Sequence, residues 1–297
     1  MPKNVQPPRV SIVIPAFNEE TVIGVVLDQI LALRLDAEVI VVNDGSTDAT
    51  ADVARARRNV RVIEHPYNIG NGAAVKTGIR AAHGEVILLM DGDGQHPPAD
   101  IPRLLSAADR YDMVVGARAS ASDAQAHRTL ANTLYNAFAS YIVDHRVEDL
   151  TSGFRAVRGR IAKGFAYLLP NGFSYPTTLT LALFRAGYSV RYEPIIAPAR
   201  VGSSKIRLVQ DGFGFLLTIM RIATVFAPMK IFLPVSIALI VPGGAYMAYS
   251  LGLLQRFSSF AGVLILSGVF LFMLGLIAEQ IALLRMSQAG YFHVEDD

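Results

Sequence analysis

The chain has 297 residues, enough for one large α/β domain and a smaller appendage. Apolar residues make up 52% and charged residues 18%; the excess is concentrated at the C-terminus, where Arg256 and Glu279 are the only charges between Ile231 and Leu284. A net charge of +2 gives no basis for a nucleic-acid partner, and the absence of cysteine removes disulfides and thiolate metal sites.

Val10–Ile14 is a short apolar run that meets Pro15, Asn18 and Glu19 at once, so it does not read as a signal peptide. The first two-thirds of the chain are therefore expected on the cytoplasmic side. Val10–Ile14, Val39–Val42, Val60–Ile63, Val86–Met90 and Met113–Val115 are short, β-branched and bounded by turn residues, the pattern of buried parallel strands. Amphipathic stretches alternate with them. Thr21–Leu33 puts Val22, Ile23, Val26, Leu27 and Ile30 on one stripe, and Asp48–Arg57 and Ala73–Ala82 are alanine-rich helices. The alternation predicts an α/β fold, a mostly parallel sheet with helices on both faces, which binds ligands beyond the C-terminal strand ends.

Further along, helices are expected over Arg128–Val143 and Pro176–Ala186, and a strand over Tyr188–Tyr192. Arg207–Phe226 is amphipathic and precedes a long apolar stretch, which favours an interfacial helix over a core-packing one. Ile231–Leu254 and Phe260–Leu284 are each about 24 residues, or roughly 36 Å as helices, enough to cross a bilayer. Joined by the short polar link Gln255–Ser259, they predict a transmembrane hairpin; two buried helices of a soluble protein are the alternative. Arg200, Lys205, Arg207, Arg221 and Lys230 on one flank and Arg285 on the other place both ends in the cytoplasm. The expected domains are residues 1–206 (catalytic), 207–228 (interfacial helix), 229–285 (hairpin) and 286–297 (cytoplasmic tail).

The polar clusters fall at the strand ends. Asp91-Gly92-Asp93-Gly94-Gln95 follows the fourth strand directly. Two carboxylates two residues apart can converge on one point, and Mg²⁺ or Mn²⁺ is commonly held by such a pair together with substrate phosphates. Glycine at 92 and 94 leaves room for phosphates to approach the backbone. Such a pair also occurs in plain structural turns. Pro15 to Glu20, Asn43 to Asp48 and Asn68 to Ala73 occupy the ends of the other three strands, where Ser46 and Asp48 also suit helix capping. Four polar, glycine-bearing loops at one sheet edge form the pattern of a nucleotide pocket. His96 reads as a loop residue, and His65, His83 and His127 have no metal-ligand spacing.

The run Val10-Ser-Ile-Val-Ile-Pro-Ala-Phe-Asn-Glu-Glu20, then Val42-Asn-Asp-Gly-Ser-Thr-Asp48, then Asp91-Gly-Asp-Gly-Gln-His-Pro-Pro98 resembles the family 2 glycosyltransferases of GT-A fold. Asp149-Leu-Thr-Ser-Gly-Phe-Arg155 and Gly202-Ser-Ser-Lys205 narrow the resemblance to the dolichol- and polyprenol-phosphate mannose and glucose synthases. It covers about residues 9–205, and the terminal hairpin is similar to that of membrane-anchored members. Asn43 stands where many members have aspartate, and Phe17 where tyrosine is common.

The resemblance implies that Pro15, Phe17, Glu19, Val42 and Asp44 contact base and ribose, several through backbone. It implies that Asp91, Asp93 and Gln95 hold Mg²⁺ or Mn²⁺ and the donor diphosphate, with Gly92 beside them. Arg118 would face the donor sugar or the acceptor phosphate, Arg128 and Arg155 would receive that phosphate, and Arg200 and Lys205 would close over the phosphates. Asp93, Arg118, Arg128 and Arg155 are the expected catalytic residues. The implied partners are a nucleotide-diphosphate sugar (GDP-mannose or UDP-glucose), a polyprenyl or dolichyl phosphate and the bilayer, with a homo-oligomer left open.

A phosphate nucleophile is already anionic near neutral pH, so the expected inverting reaction needs positioning and electrostatics more than a general base. A processive polysaccharide synthase shares the nucleotide-sugar motifs, but normally carries a Gln-x-x-Arg-Trp motif, and this chain has no tryptophan. An aspartate-nucleophile phosphatase would explain Asp91 and Asp93 but not the earlier loops or Lys205. A catalytically dead membrane-associated binding protein is the remaining alternative.

Overall fold

A computed structural model of the chain describes residues 9–118, 126–172, 174–196 and 223–291. Among the described residues a seven-stranded sheet contains β1 (Val10–Ala16), β2 (Ala37–Asn43), β3 (Val60–Glu64), β4 (Val86–Leu89), β5 (Met113–Arg118), β6 (Arg155–Arg158) and β7 (Val190–Ile195). Their spatial order is β3-β2-β1-β4-β6-β5-β7. All neighbours pair in parallel except β6, which runs antiparallel to both β4 and β5. The sheet is thus mostly parallel, as the strand pattern predicts. β6 has no counterpart among the expected strands, since its four residues begin and end in arginine and lack an apolar run.

Burial follows position in the sheet. Central β1 is buried along its whole length, whereas edge strand β3 alternates between partly buried and exposed. Val10, Ile12, Ile14 and Ala16 share one core with Ile23, Val26, Leu27 and Ile30 of α1 (Ile23–Ala32), Ala54 of α2 (Thr50–Arg55) and Ile101, Leu104 and Ala108 of α4 (Ile101–Ala108). The opposite face of β1 meets α3 (Asn71–Ala81), where a Cβ on Gly78 would lie 2.2 Å from Val13 Cγ1. The period-two alternation of β1 therefore serves two helical layers. Three further helices, α5 (Ala126–Val143), α6 (Gly159–Phe165) and α7 (Tyr175–Arg185), complete the unit, with α6 against α3 and α7 against α5 and β7. Helices α4 and α6 were not anticipated by the apolar pattern.

The chain runs from β1 through α1 to β2, then from β3 through α3 back across to β4 on the other side of β1. The connections after β1 and β4 therefore leave in opposite directions, which makes their C-terminal ends the topological switch point, the place where such sheets bind ligands. Asp91 stands one residue beyond Met90, at this point.

The last two helices, α8 (Met229–Leu253) and α9 (Ser259–Tyr291), belong to a separate compact unit. Small residues line their seam. A Cβ on Gly268 would meet Ile240 Cγ1 at 2.6 Å and Ser236 O at 3.0 Å, and one on Gly243 would touch Leu264 and Ile265 at 3.0 Å. The Ser236 hydroxyl donates to the Gly268 carbonyl at 2.8 Å. Close backbone approach with a hydroxyl bridge is how helices associate where lipid removes the hydrophobic drive. The large apolar side chains point outward instead: Leu253 is 73% exposed, Leu266 72% and Phe270 64%. Such a surface suits hydrocarbon rather than water, which answers the soluble-core alternative. Both helices are long and apolar enough to cross a membrane. Pro234 and Pro242 lie inside α8.

Replacing Gly78 by valine forces side-chain atoms into the β1–α3 contact, which is overpacked already at Cβ. The expected loss is about 1–3 kcal/mol of stability, read as a lower midpoint in thermal unfolding of the detergent-solubilised protein.

Candidate active site

The loops at the C-terminal edge of the sheet are tied by side chain–backbone bonds. After β1, Asn18 adopts a φ of 55°, its backbone N–H donates to Ser46 Oγ at 2.9 Å, and its Oδ1 accepts from Thr47 N at 2.9 Å. Glu19 N–H donates to Thr50 Oγ1, while the Glu19 carbonyl accepts from Val22 and Ile23 at the head of α1. Glu20 Oε2 accepts from Ala49 N, and Asp48 Oδ2 accepts from Glu20 N. Asn43 Oδ1 accepts from Ser46 N, so the amide that stands in place of an aspartate closes a turn. The first two loops thus form one rigid lip, on which Phe17 is 42% exposed.

Asp44 is buried and points inward. Its carboxylate accepts from Ile69 N at 3.0 Å and Gly70 N at 2.8 Å and meets His65 Nδ1 at 2.7 Å, while His65 Nε2 meets Thr77 Oγ1 at 2.9 Å. Asp44 therefore fixes the third loop. Gly45, with a φ of 69°, lets the backbone of Tyr67 and Asn68 pass where a Cβ would stand 2.4 Å from Tyr67 C. Pro15 and Val42 face each other in register in β1 and β2. Val42 is fully buried, so its side chain belongs to the core and only its backbone could serve a ligand.

At the switch point, Asp91 is gripped from several sides. Its N–H donates to His96 Nδ1 at 3.2 Å, and the buried His96 ring stacks on Phe154 at 5.2 Å. A Cβ on Gly153 would lie 2.4 Å from Asp91 Oδ2, so a side chain there would push the carboxylate aside. Asp91 Oδ1 is buried without a hydrogen-bond partner. Burial raises the Asp91 pKa and the neighbouring Asp93 adds to this, against the pull of His96, Asn71 and Arg118. Burial lowers the pKa of His96, which agrees with a neutral ring whose Nδ1 accepts. Asp93 Oδ1 accepts from Gln95 N at 3.1 Å, making the tight turn that Gly94 completes at a φ of 76°. A Cβ on Gly92 would be 3.1 Å from the Pro15 carbonyl, which shows how closely the ends of β1 and β4 approach.

These groups fit a hard divalent cation: oxygen donors, one of them buried and unpartnered, with a second carboxylate two residues on. Among the described residues no three acidic or histidine side chains converge into a complete metal site. A cation at Asp91 and Asp93 would need oxygens from a ligand, as a diphosphate provides.

Arg118 ends β5, and Asp149 holds it in a fork. Nε donates to Asp149 Oδ2 at 2.8 Å, Nη2 to Asp149 Oδ1 at 3.0 Å and to Thr151 Oγ1 at 2.6 Å. The bonds from Asp149 raise the Arg118 pKa; burial pushes Asp149 up, but the Arg118 bonds outweigh it and hold that carboxyl below its ordinary value. Asp149 carried no role in the sequence reading, because nothing in its spacing distinguishes a clamp from a turn residue.

Arg155 requires a correction. It was expected to receive a phosphate, yet its side chain is fully buried. Nε donates to Ser152 O, Nη1 to Pro176 O and Thr180 Oγ1, and Nη2 to Leu150 O. With those donors spent on the loop before it and on α7, Arg155 is a framework residue. Arg128 lies on α5 with its side chain outside the described residues; Arg200, Lys205 and the amphipathic stretch up to residue 222 also lie outside them.

Residues 11–165 match the model of Glycosyl transferase family 2. The chain belongs to this family. Residues 227–284 match the GtrB C-terminal hairpin. Among curated relatives, a dodecaprenyl-phosphate galacturonate synthase of Rhizobium johnstonii is 34% identical over 54% of this chain and 50% of its own length. An undecaprenyl-phosphate 4-deoxy-4-formamido-L-arabinose transferase of Photorhabdus laumondii is 32% identical over 52% of this chain and 50% of its own. The chain spans about half the length of these relatives. Glucosyl-3-phosphoglycerate synthase of Mycobacterium tuberculosis, solved with Mn²⁺ and UDP-glucose, shares the fold with a TM-score of 0.57 at 23% identity, over 73% of this chain and 78% of that one.

His96→Phe keeps a ring against Phe154 but leaves the Asp91 N–H without its acceptor, at an expected cost of about 1–3 kcal/mol. The thermal midpoint should fall and Mn²⁺ affinity, titrated by electron paramagnetic resonance, should weaken; unchanged Mn²⁺ binding would separate His96 from the carboxylate it braces.

Proposed function

We propose that this family 2 protein is an inverting glycosyltransferase that moves a sugar from a nucleotide-diphosphate donor to the phosphate of a polyprenyl or dolichyl lipid at the membrane. The observation that carries the proposal is the carboxylate pair at the β1/β4 switch point, with one buried unpartnered oxygen, in a chain that also bears an outward-facing apolar hairpin. The relatives named for dodecaprenyl- and undecaprenyl-phosphate chemistry support the lipid-phosphate acceptor. A polyprenyl chain stays in the bilayer, so its enzyme must work at the interface.

In the proposed reaction an oxygen of the lipid phosphate attacks the anomeric carbon, and the bond from that carbon to the donor diphosphate breaks. The nucleoside diphosphate leaves with the electron pair, and no proton has to be removed from the anionic nucleophile. Mg²⁺ or Mn²⁺ held by Asp91 and Asp93, with Gln95 in the same turn, would supply Lewis-acid stabilisation of the leaving diphosphate. Phe17, Glu19 and the rigid lip they belong to would seat the nucleoside, with Asp44 acting through the loop it fixes and Pro15 through the strand end. Arg118 offers charge for the acceptor phosphate, and Arg128, Arg200 and Lys205 are assigned to the phosphates by resemblance.

We assign residues 1–206 to the catalytic domain, 207–228 to an interfacial helix, 229–285 to the spanning hairpin and 286–297 to a tail. The basic flanks favour the cytoplasmic side for the domain and tail. A hexose donor, GDP-mannose or UDP-glucose, is the first choice from sequence resemblance. The names of the relatives widen the set to galacturonate and 4-deoxy-4-formamido-arabinose donors.

Membranes carrying the protein, incubated with a panel of labelled nucleotide-sugars and undecaprenyl phosphate, should yield label in the organic extract. Label in polymer would replace this reading with a processive synthase. Asp93→Ala should reduce transfer by about three orders of magnitude or more, the scale of losing charge stabilisation at the leaving group, with a cooperative thermal transition retained.

A further inference from the structure

Arg118 is 40% exposed along its side chain, and an arginine in that situation ordinarily samples many rotamers. Here it does not have that freedom. The Asp149 carboxylate, 9% exposed, takes Nε and Nη2 in a bidentate fork and the Arg118 backbone N–H at 3.2 Å as well. The same carboxylate accepts from Thr151 N and Ser152 N at 3.1 Å each, so its own rotamer is fixed.

The segment behind it is fixed too. Asn136 of α5 accepts from Leu150 N and donates to Glu148 O, and the buried Arg155 binds the carbonyls of Leu150 and Ser152 from beneath. The loop then reaches Gly153, against which the Asp91 carboxylate rests. One five-residue loop therefore sets both the orientation of the Arg118 cation and the space occupied by the Asp91 anion.

We propose that Asp149 is a positioning residue for the transfer reaction, clamping Arg118 so that its guanidinium is presented in one orientation to the acceptor phosphate. The proposal rests on the lipid-phosphate reading above. Both Asp149 oxygens are occupied by donors, so the group is poorly suited to accept a proton from a substrate. Its service is geometric and electrostatic: a preoriented cation costs no reorganisation when the phosphate arrives.

The test is a double-mutant cycle on the full chain in nanodiscs containing undecaprenyl phosphate, using Asp149→Asn, Arg118→Lys and the pair. Each single variant should raise KM for undecaprenyl phosphate about tenfold, the scale of a lost charge-assisted bond, and leave KM for the donor unchanged. The double variant should be no worse than the weaker single one, and the pH–rate profile should keep its shape. Additive losses, or disappearance of a limb of the profile in Asp149→Asn, would overturn the clamp, the second by revealing a base.

If Asp149→Asn does not fold, Asp149→Glu, which keeps the charge but shifts it by one methylene, takes its place in the cycle. Absence of transfer to undecaprenyl phosphate by the unmodified protein would defeat the acceptor reading alone. The clamp would then be read directly from the Arg118 Nε–H resonance, expected to be sharp and slow to exchange in the unmodified protein and lost to exchange in Asp149→Asn; an unchanged resonance rejects the clamp.

Discussion

A carboxylate with one oxygen buried and unpaired is expensive, and the site of this protein is organised around that cost. Gly153 and His96 flank Asp91 on two sides, and although its side chain is 29% exposed, Oδ1 stays buried and unpaired. A cation would lower the energy of such a group, and phosphate oxygens of a ligand would complete its shell. The loop chemistry around it follows the same logic. Asn18, Glu20, Asn43 and Asp48 spend their polar atoms on neighbouring backbone, which keeps the rim stiff before any ligand arrives.

The two units solve opposite solvation problems. In the sheet unit, apolar side chains turn inward between helical layers. In the helical pair the small residues turn inward and the large apolar ones outward, so the pair presents leucine and phenylalanine where a soluble protein would present charge. Glu279 breaks the apolar run of α9 and accepts from the Met229 backbone N–H at the head of α8. An acid there satisfies a helix terminus that has no intrahelical acceptor for its amide.

Much of this architecture was legible in the sequence because it rests on periodicity. β1, β2, β4 and α1 are long or apolar enough to declare their faces, and the Asp91–Asp93 pair declares itself by following a strand. β6 was not legible: Arg155 at its head reads as a surface or ligand residue, and only the folded chain shows that carbonyl oxygens and Thr180 enclose it. For the same reason Arg155 suggested a phosphate contact that its burial forbids. Asp149 was hidden differently. Its motif marks the family, but a carboxylate thirty-one residues from its arginine gives no local sign of the pairing, which exists because β5 and β6 are neighbours in the sheet.

The antiparallel strand β6 has a further consequence for how the domain is divided. Everything on one side of the β4–β6 contact, β3-β2-β1-β4, is woven from a contiguous stretch ending at Leu89. Everything on the other side, β6-β5-β7, comes from later in the chain. The ladder between Val86–Leu89 and Arg155–Arg158 is therefore a natural suture. A chimera cut after Leu89 would exchange Asp91, Asp93, Arg118 and the Asp149 clamp together, so the carboxylate pair and the arginine travel as one piece while the loops after β1 and β2 stay behind.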